Sequence, residues 1–374
     1  MTATGLDRVL GPGIAVLTGS DGVGKTTTAA ALAARAAYLN DLRVVVLTID
    51  PARRLANAMG LERLGNRIRE VDFAKAGATG KPAGRLFAGM LEAKSAWDDL
   101  ITARAGSRAA AEGILANPFY KEISGAFVGS HEYIAMERLY ELWQSGKYDL
   151  VVLDTPPSRN ALDFLEAPQR MTELVSGGLL GMLARPGMFA GKLGLRMFSF
   201  TAKPIMHIAD RLLGGSTLTE LSEFLISIEG LYDGFKQRAD AVYDLLEQDL
   251  TRFVVVTTLE EVPFEEARFF VAKLKEARMH LAGAVVNKRL PAELNDPGAA
   301  ALARDLAAGG DPVLAALGDN FLAVRTQAQR DNDLLERVAE LGVPLLGSVP
   351  RMSEPIHDLR GLLEVGELLA RGVV

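Results

Sequence analysis

A glycine-rich motif near the start of the chain constrains the fold more than any other feature. It lies between an apolar β-branched run and a Thr- and Ala-rich helical segment, and it reads Gly19-Ser20-Asp21-Gly22-Val23-Gly24-Lys25-Thr26. This is a complete G-x-x-x-x-G-K-[ST] phosphate-binding loop, in which backbone N–H groups and the helix N-terminus face the phosphates. Lys25 would reach the β- and γ-phosphates, and Thr26 would bind Mg²⁺. The alternative is a glycine-rich turn with a surface lysine, which the four fixed residues in this setting disfavour.

An acidic residue follows another buried run and predicts the second part of the same site. Asp154 comes directly after Leu150-Val151-Val152-Leu153 and before Thr155-Pro156-Pro157. A carboxylate at the carboxyl end of a buried parallel strand lies where open α/β sheets bind ligands. Asp154 is therefore a candidate Walker B acid that holds Mg²⁺ through a water molecule. Alternatively, Asp154 is an N-cap for the next segment.

The segment after the second apolar run is a candidate for catalysis. Asp50-Pro51 follows this run, and Arg53 and Arg54 come shortly after. Asp50 could position the attacking water, with Arg53 or Arg54 near the phosphates. Alternatively, Asp50 and Pro51 form the cap and first turn of a helix. The two interpretations are compatible.

The residues after the fifth apolar run bear on the identity of the base. Asn287-Lys288 is followed two places on by Leu290, where a guanine-specific hydrolase would need an acid to accept bonds from guanine N1 and N2. The Asn287 amide can instead pair with adenine N6 and N7, which favours ATP over GTP. The alternative makes Asn287 a turn residue.

The spacing of the apolar runs predicts an α/β fold. Six runs with the character of strands buried on both faces occupy residues 13–18, 43–49, 150–153, 252–257, 281–286 and 344–349. Helical patterns separate them, so we expect a doubly wound, mostly parallel P-loop sheet. The second and third runs, and the third and fourth, are each about 100 residues apart, which is too long for structureless loops. We therefore predict a single domain, residues 1–374, with a large helical subdomain formed by insertions at about 80–146 and 160–250.

Composition excludes several classes of protein. The 374 residues include no cysteine, so the chain has no disulfide, thiolate metal site or catalytic thiol. A formal net charge of −6 without blocks of Lys and Arg argues against nucleic acid as a partner. We expect no integral membrane span, because the longest apolar stretch, residues 174–200, contains Arg185, Lys192 and Arg196. The N-terminus lacks the features of a signal peptide, so we expect a cytoplasmic protein.

Taken together, these motifs resemble those of the ArsA-type family, which joins arsenical-pump ATPases with tail-anchored-protein targeting ATPases. The resemblance covers nearly the whole chain and is strongest to bacterial ArsA-like ATPases that act in pairs. It implies an ATPase that uses ATP and Mg²⁺ and works as a homodimer or as a heterodimer with an ArsA-like paralogue. It also implies that Thr27 joins the phosphate and magnesium site, that Asp50 assists hydrolysis, that Asn287 meets adenine, and that Pro350 lies in the adenine loop.

The chain departs from the family pattern at three places. The family's loop begins Lys-Gly-Gly, and its first lysine reaches across a dimer to the partner's ATP, whereas this chain has Ser20 and Asp21. Arg53, Arg54 or a paralogous partner would have to replace that lysine, or turnover is slow. The family's Thr-Gly-His is replaced by Ser158-Arg159-Asn160 in the segment that couples to cargo. The family's dimer zinc site and arsenite site both use cysteine and cannot exist here.

The region from Met171 to Met206 suggests a client. It holds five of the eleven methionines, and such polarisable side chains form adaptable apolar surfaces for helices. A methionine-lined core between helices is the alternative. We expect an ATP switch that binds a protein or hydrophobic client. The alternatives are a catalytically weak regulatory subunit, the ATPase of an anion or metalloid efflux system, and a partitioning-type positioning ATPase.

Overall fold

The computed structural model describes four main stretches of the chain. They are residues 5–49, 67–117, 130–155 and 232–371, together with Ala56, Ala58, Met59, Leu61 and Tyr120. The chain forms two compact units. The first combines Met1–Met90, Leu142–Ala161 and Glu247–Val374, and the second combines Leu91–Glu141 and Leu162–Leu246.

The first unit is built on an eight-stranded sheet. Its strands are β1 (Gly13–Thr18), β2 (Arg43–Thr48), β3 (Arg69–Glu70), β4 (Arg85–Met90), β5 (Leu150–Asp154), β6 (Thr251–Thr257), β7 (Leu281–Arg289) and β8 (Leu345–Pro350). Their order is β3-β4-β2-β5-β1-β6-β7-β8, and every pair is parallel except β3 with β4. All six predicted strands are present, and the predicted mostly parallel α/β fold is confirmed.

Ten α-helices accompany these strands in the described residues. They are α1 (Gly5–Val9), α2 (Lys25–Leu39), α3 (Ala93–Arg104), α4 (Arg108–Ala116), α5 (Ser130–Gln144), α6 (Tyr232–Glu247), α7 (Glu261–Glu276), α8 (Pro297–Ala307), α9 (Pro312–Arg337) and α10 (Leu359–Arg371). One core cluster joins α1, α2 and α10 to the sheet, and another joins α7 and α9 to β7. The sheet therefore carries helices on both faces, as a doubly wound fold requires.

Small side chains let α2 pack closely against its neighbours. Its buried residues are mostly alanines, and α10 crosses it at Gly366, where an added Cβ would lie 3.0 Å from Arg35 Cβ. The apolar face of α10, which includes Leu362 and Leu369, is buried in the same core. Helix α10, near the C-terminus, is therefore a packing helix of the first unit.

Two features of the first unit differ from the pattern of the sequence. Strands β3 and β4 were not predicted, and β4 lies inside the expected helical insertion at about 80–146. The sequence of β4, RLFAGM, has no β-branched residue, so its strand character comes from its pairing with β2 rather than from propensity. Residues 299–316 are rich in alanine and have the pattern of one helix, but they are divided between α8 and α9, because Asp311 caps a new helix by accepting from the Val313 and Leu314 N–H groups.

The described part of the second unit is helical and contains a buried ion pair. Glu137 of α5 is 3% exposed, and it accepts a bond from Arg238 Nε on α6 at 2.7 Å. Burial is the main cause of the raised pKa of Glu137, and the two arginines, Arg238 and Arg104, oppose it.

The predicted single-domain organisation and the limits of the two insertions stay predictions. None of the helices in the described residues is long and apolar enough to cross a membrane.

Candidate functional site

The phosphate loop, residues 19–26, needs glycine for two separate reasons. Gly22 and Gly24 adopt φ angles of 73° and 96°, in the left-handed region that side chains disfavour. A Cβ on Gly19 would lie 2.1 Å from the Val256 carbonyl oxygen, and one on Gly24 would lie 2.1 Å from Asn287 Nδ2. The loop is therefore held against β6 and β7 by contacts that only glycine permits.

Lys25 is buried inside this loop. Its side chain opens α2, it is 7% exposed, and Nζ donates to the carbonyl oxygens of Gly19 and Ser20 at 2.9 and 2.8 Å. A buried ammonium ion is costly unless it is well bonded, so these carbonyl groups fix its position. The cation consequently lies at the turn whose N–H groups form the expected anion site.

Asp154 connects three strands at the carboxyl edge of the sheet. Its Oδ2 accepts bonds from Thr26 Oγ1 at 2.6 Å and from Thr48 Oγ1 at 2.7 Å. The parallel register explains this, because β5 pairs Asp154 with Leu17 of β1 and with Thr48 of β2. Thr155 continues the connection by donating from Oγ1 to the Leu17 carbonyl oxygen at 2.7 Å.

The oxygen atoms at this edge suit Mg²⁺. This ion prefers a few oxygen ligands and keeps several waters, and Thr26 and Asp154 offer a hydroxyl and a carboxylate in contact with each other. Among the described residues, no group of three or more His, Cys, Asp or Glu is placed to hold a metal. The donor set thus fits an ion that phosphate and water would also coordinate.

Asn287 and Lys288 join the end of β7 to the phosphate loop. Asn287 Nδ2 donates to the Val23 carbonyl oxygen at 2.8 Å, and Lys288 Nζ donates to the Gly22 carbonyl oxygen at 2.6 Å. Lys288 has a φ of 57°, and its N–H donates to Asn287 Oδ1. This strained backbone turns the lysine side chain towards the loop.

These residues line a cleft of about 1430 Å³ in the first unit. Its phosphate end includes Asp21, Gly22, Gly24, Lys25, Thr26 and Thr27, and its walls continue through Asn287, Lys288 and Leu290 to Pro350 and residues 351–357. Ser20 and Val23 of the same loop are not among the lining residues, and they are 6% and 1% exposed. Pro350 is the last residue of β8 and is exposed beside this cleft.

The cleft is also lined by four residues that the sequence analysis missed. Thr258 and Glu260 follow β6, and Gln327 and Asp331 come from α9. Asp331 is 7% exposed and accepts from Gln327 Nε2 at 2.7 Å through Oδ1. Burial raises its pKa, the Gln327 bond opposes that shift, and the nearby Glu260 adds to it.

Several predicted site residues have no described position. Asp50, Arg53, Arg54 and residues 171–206 lie outside the described residues. The sequence analysis also missed Thr48 and Thr155, whose polar side chains adjoin Asp154. Their signal was available, since each is a threonine at or directly after the carboxyl end of a predicted strand.

Comparisons with known proteins identify the family of the chain. The model of a family described as "Anion-transporting ATPase" matches residues 13–307. A protein named ATPase get3 from Aspergillus terreus is 26% identical over 275 residues, which cover 73% of this chain and 72% of that protein. ATPase GET3 from Lachancea thermotolerans is 24% identical over 286 residues, covering 74% and 71%.

Proposed function

The chain belongs to the anion-transporting ATPase family and is a nucleotide-binding ATPase, and on this basis we propose that it acts as a dimeric switch. In this proposal, ATP turnover controls the binding of a hydrophobic segment of a client protein. The nucleotide is ATP with Mg²⁺, bound with its phosphates in the loop of residues 19–26. The dimer is formed with a second copy or with a paralogue of the same family.

The bonds of Asp154 carry the proposal of a switch. One carboxylate oxygen accepts from Thr26 on the phosphate loop and from Thr48 at the end of β2. A nucleotide and its metal would compete for these groups, because Thr26 and Asp154 are also the expected metal ligands. Binding of the nucleotide and its metal would therefore change the hydrogen bonds of Asp154, and with them the position of the segments that follow β2 and β5. Coupling of a γ-phosphate to such segments is a known form of nucleotide switch.

Three groups would share the work of the phosphate end. Lys25 would transfer its hydrogen bonds from the Gly19 and Ser20 carbonyl groups to the phosphates, which have stronger charges. Thr26 and Asp154 would hold Mg²⁺, which neutralises charge on the β- and γ-phosphates. Gly22 and Gly24 would let the loop N–H groups approach the phosphate oxygens.

The attacking water would be positioned by Asp50, and a cation from elsewhere would complete the site. Asp50 follows Thr48 by two residues in the sequence, and the Thr48 hydroxyl donates to Asp154. Ser20 provides no positive charge at the position where the family has its intersubunit lysine. We propose that Arg53, Arg54 or a partner subunit provides it, a contribution of about 10³ to 10⁵ in rate where such an arginine has been studied.

The client would bind through residues 171–206. This proposal rests on their composition, since five methionines in this stretch make an adaptable apolar surface. The alternative role of these residues is a core between helices.

A second candidate function follows from Ser20. Its side chain is 6% exposed, and among the described residues its hydroxyl has no hydrogen-bond partner. A buried serine does not reach across a dimer, so the chain alone would hydrolyse ATP slowly. It would then serve as the regulatory subunit of a heterodimer.

Two measurements test these proposals. The first is the ATPase rate of the chain alone and with its paralogue, combined with light scattering in the presence and absence of ATP. We expect an ATP-dependent dimer, and an increase of at least tenfold in rate on adding the paralogue would favour the regulatory role. The second is capture of an amphipathic apolar peptide with ATP or ADP. A monomer under all conditions, or peptide capture that ignores the nucleotide, would contradict the switch.

A further inference from the structure

Four residues that line the cleft, Thr258, Glu260, Gln327 and Asp331, come from the end of β6 and from α9 rather than from the phosphate loop, and we call them the acidic wall. Asp331 and Thr258 are 7% and 4% exposed, and both line the cleft. Within the described part of the chain, Thr258 Oγ1 has no hydrogen-bond partner, and Asp331 uses only Oδ1, to accept from Gln327. Buried polar atoms of this kind are normally bonded, so the wall has unused capacity for a ligand.

The charged residues that line the cleft favour one direction for a bound nucleotide. Lys25 and Lys288 donate to carbonyl groups of the phosphate loop, where Asp21 is the acidic residue, whereas Glu260 and Asp331 are both acidic. Beside Pro350, Arg351 and Glu354 carry one charge of each sign. Phosphate groups would be repelled by the carboxylates of Glu260 and Asp331 and attracted by the two lysines. The part of a ligand that meets the acidic wall must therefore carry hydrogen-bond donors rather than negative charge.

The order of the strands indicates which part of the nucleotide this is. The phosphate loop follows β1, and the neighbours on that side are β6, then β7, then β8. The expected base contacts, Asn287 and Pro350, lie at the ends of β7 and β8, while Thr258 and Glu260 follow β6. Leu259, which lies between Thr258 and Glu260, packs in the same core cluster as Leu334 of α9, so α9 lies against the end of β6. In a nucleotide the sugar lies between the phosphates and the base, and in the sheet β6 lies between β1 and β7. The residues that follow β6 are therefore expected to meet the sugar.

We propose that the acidic wall recognises the ribose of the nucleotide, with the Asp331 carboxylate accepting from a ribose hydroxyl and Thr258 bonding its neighbour. Gln327 is a positioning residue, because its bond to Oδ1 leaves Oδ2 for the ligand. Carboxylates bind ribose hydroxyls in the same way in dinucleotide-binding folds. The inference rests on the proposed function, because it assumes that ATP binds with its phosphates in the loop.

The test measures the loss of the sugar hydroxyls and the loss of the carboxylate together. ATP, 2′,3′-dideoxy-ATP and inorganic tripolyphosphate are titrated by calorimetry into the wild type, Asp331→Asn and Asp319→Asn. Asp319 is a matched control because it is an exposed aspartate on the same helix. We expect the wild type and Asp319→Asn to prefer ATP over the dideoxy analogue by about thirtyfold, because one bond to a charged acceptor contributes about tenfold and one neutral bond about threefold. In Asp331→Asn this ratio falls to about three, and the tripolyphosphate affinity is unchanged.

Each other outcome has one meaning. If Asp331→Asn weakens ATP and the dideoxy analogue equally, Asp331 supports the fold rather than the sugar, and the inference is wrong. If the wild type binds ATP and 2′,3′-dideoxy-ATP equally, the ribose hydroxyls make no contact with the acidic wall, and the inference is also wrong. A wild type that binds neither ATP nor tripolyphosphate would instead contradict the proposed function. Thr258→Val provides a second variant, with an expected fall in the same ratio of about threefold.

Discussion

The two ends of the cleft are built in different ways. The phosphate end consists of consecutive residues in one loop, and much of its binding capacity is backbone, because the glycines at 22 and 24 fix the direction of the N–H groups. The nucleoside end combines side chains from the ends of β6, β7 and β8 and from α9, which are far apart in sequence. The phosphate end thus depends on the backbone conformation of one loop, whereas the nucleoside end depends on the fold, which brings distant side chains together.

This difference predicts which substitutions affect both ends and which affect only one. Asn287 and Lys288 belong to the proposed nucleoside end, and they donate to carbonyl groups of the phosphate loop. The ends are therefore joined by two bonds from one short segment. Variants at the phosphate end should affect every ligand with a triphosphate, whereas variants at the nucleoside end should affect only complete nucleotides.

The largest effect is expected for Lys25→Ala. The change removes the ammonium ion that the Gly19 and Ser20 carbonyl groups hold in the loop. ATP turnover should fall by about 10²- to 10³-fold, the size seen when a group that stabilises transition-state charge is lost. Tripolyphosphate and ATP should weaken together in calorimetry. Lys75→Ala, at a lysine whose side chain is 84% exposed, is the control and should turn over ATP normally.

Gly24→Ala should disrupt the contact between the two ends. The new Cβ would lie 2.1 Å from Asn287 Nδ2, on a backbone with φ of 96°. We expect a loss of about 1 to 3 kcal/mol in the free energy of unfolding, from strain and overpacking together. Chemical denaturation followed by circular dichroism measures it.

Gly22→Ala separates the two causes in Gly24→Ala. Gly22 has a φ of 73°, but nothing lies within 4 Å of its added Cβ, so this variant shows the backbone strain alone. The double variant Gly24→Ala with Asn287→Ala should recover part of the stability, because the clashing amide is gone. Equal losses at Gly22 and Gly24, with no recovery in the double variant, would show that the proximity of Asn287 has no energetic consequence.

The same difference explains how much of the site the sequence could predict. The phosphate loop could be predicted because its glycines, lysine and threonine occur at a fixed spacing in the sequence. Asp154 could be predicted as a site residue because it is a carboxylate at the end of a buried apolar run. Thr48 and Thr155 were readable in principle, but a threonine at a strand end is common in any sheet. Asp331 gave no signal, since it lies in the middle of a polar helix segment and is brought to the cleft only by the packing of α9.

The fold shows a similar division. The six predicted strands are continuous apolar runs buried on both faces, which is the property that periodicity detects. Strand β4 is missing from the prediction because RLFAGM lacks β-branched residues, and β3 has only two residues, both exposed. Strand order was beyond the sequence too, since it depends on long-range pairing such as β1 with β5 and β6.

Asn287→Ala should have a smaller effect that depends on the base. The change removes the bond to Val23 and the acceptor for the Lys288 N–H, along with the expected adenine contact. The preference for ATP over GTP should fall by about tenfold, within the range for a bidentate amide–adenine contact. Tripolyphosphate binding should weaken much less. The control is Asn320→Ala at an exposed position on α9, and a similar loss for ATP, GTP and tripolyphosphate would assign Asn287 to the phosphate end instead.

The smallest effect is a gain in stability from Asp331→Asn. Burial raises the pKa of Asp331, so the folded chain binds this proton more tightly than the unfolded chain does. At pH above the raised pKa the ionised carboxylate destabilises the fold, and the isosteric amide removes that cost while keeping an acceptor for Gln327. We expect the free energy of unfolding to rise by about 1 kcal/mol at neutral pH, a size typical of single stabilising changes.

The gain should disappear as pH falls through the raised pKa of Asp331 towards the pKa in the unfolded chain, because both side chains are then neutral. Thermal denaturation of both proteins without nucleotide across this range provides the measurement, with Asp319→Asn showing no change. A gain that persists in acid would mean that charge burial is not its cause, whereas a gain lost in acid would mean that the ionised carboxylate of Asp331 destabilises the folded wild type.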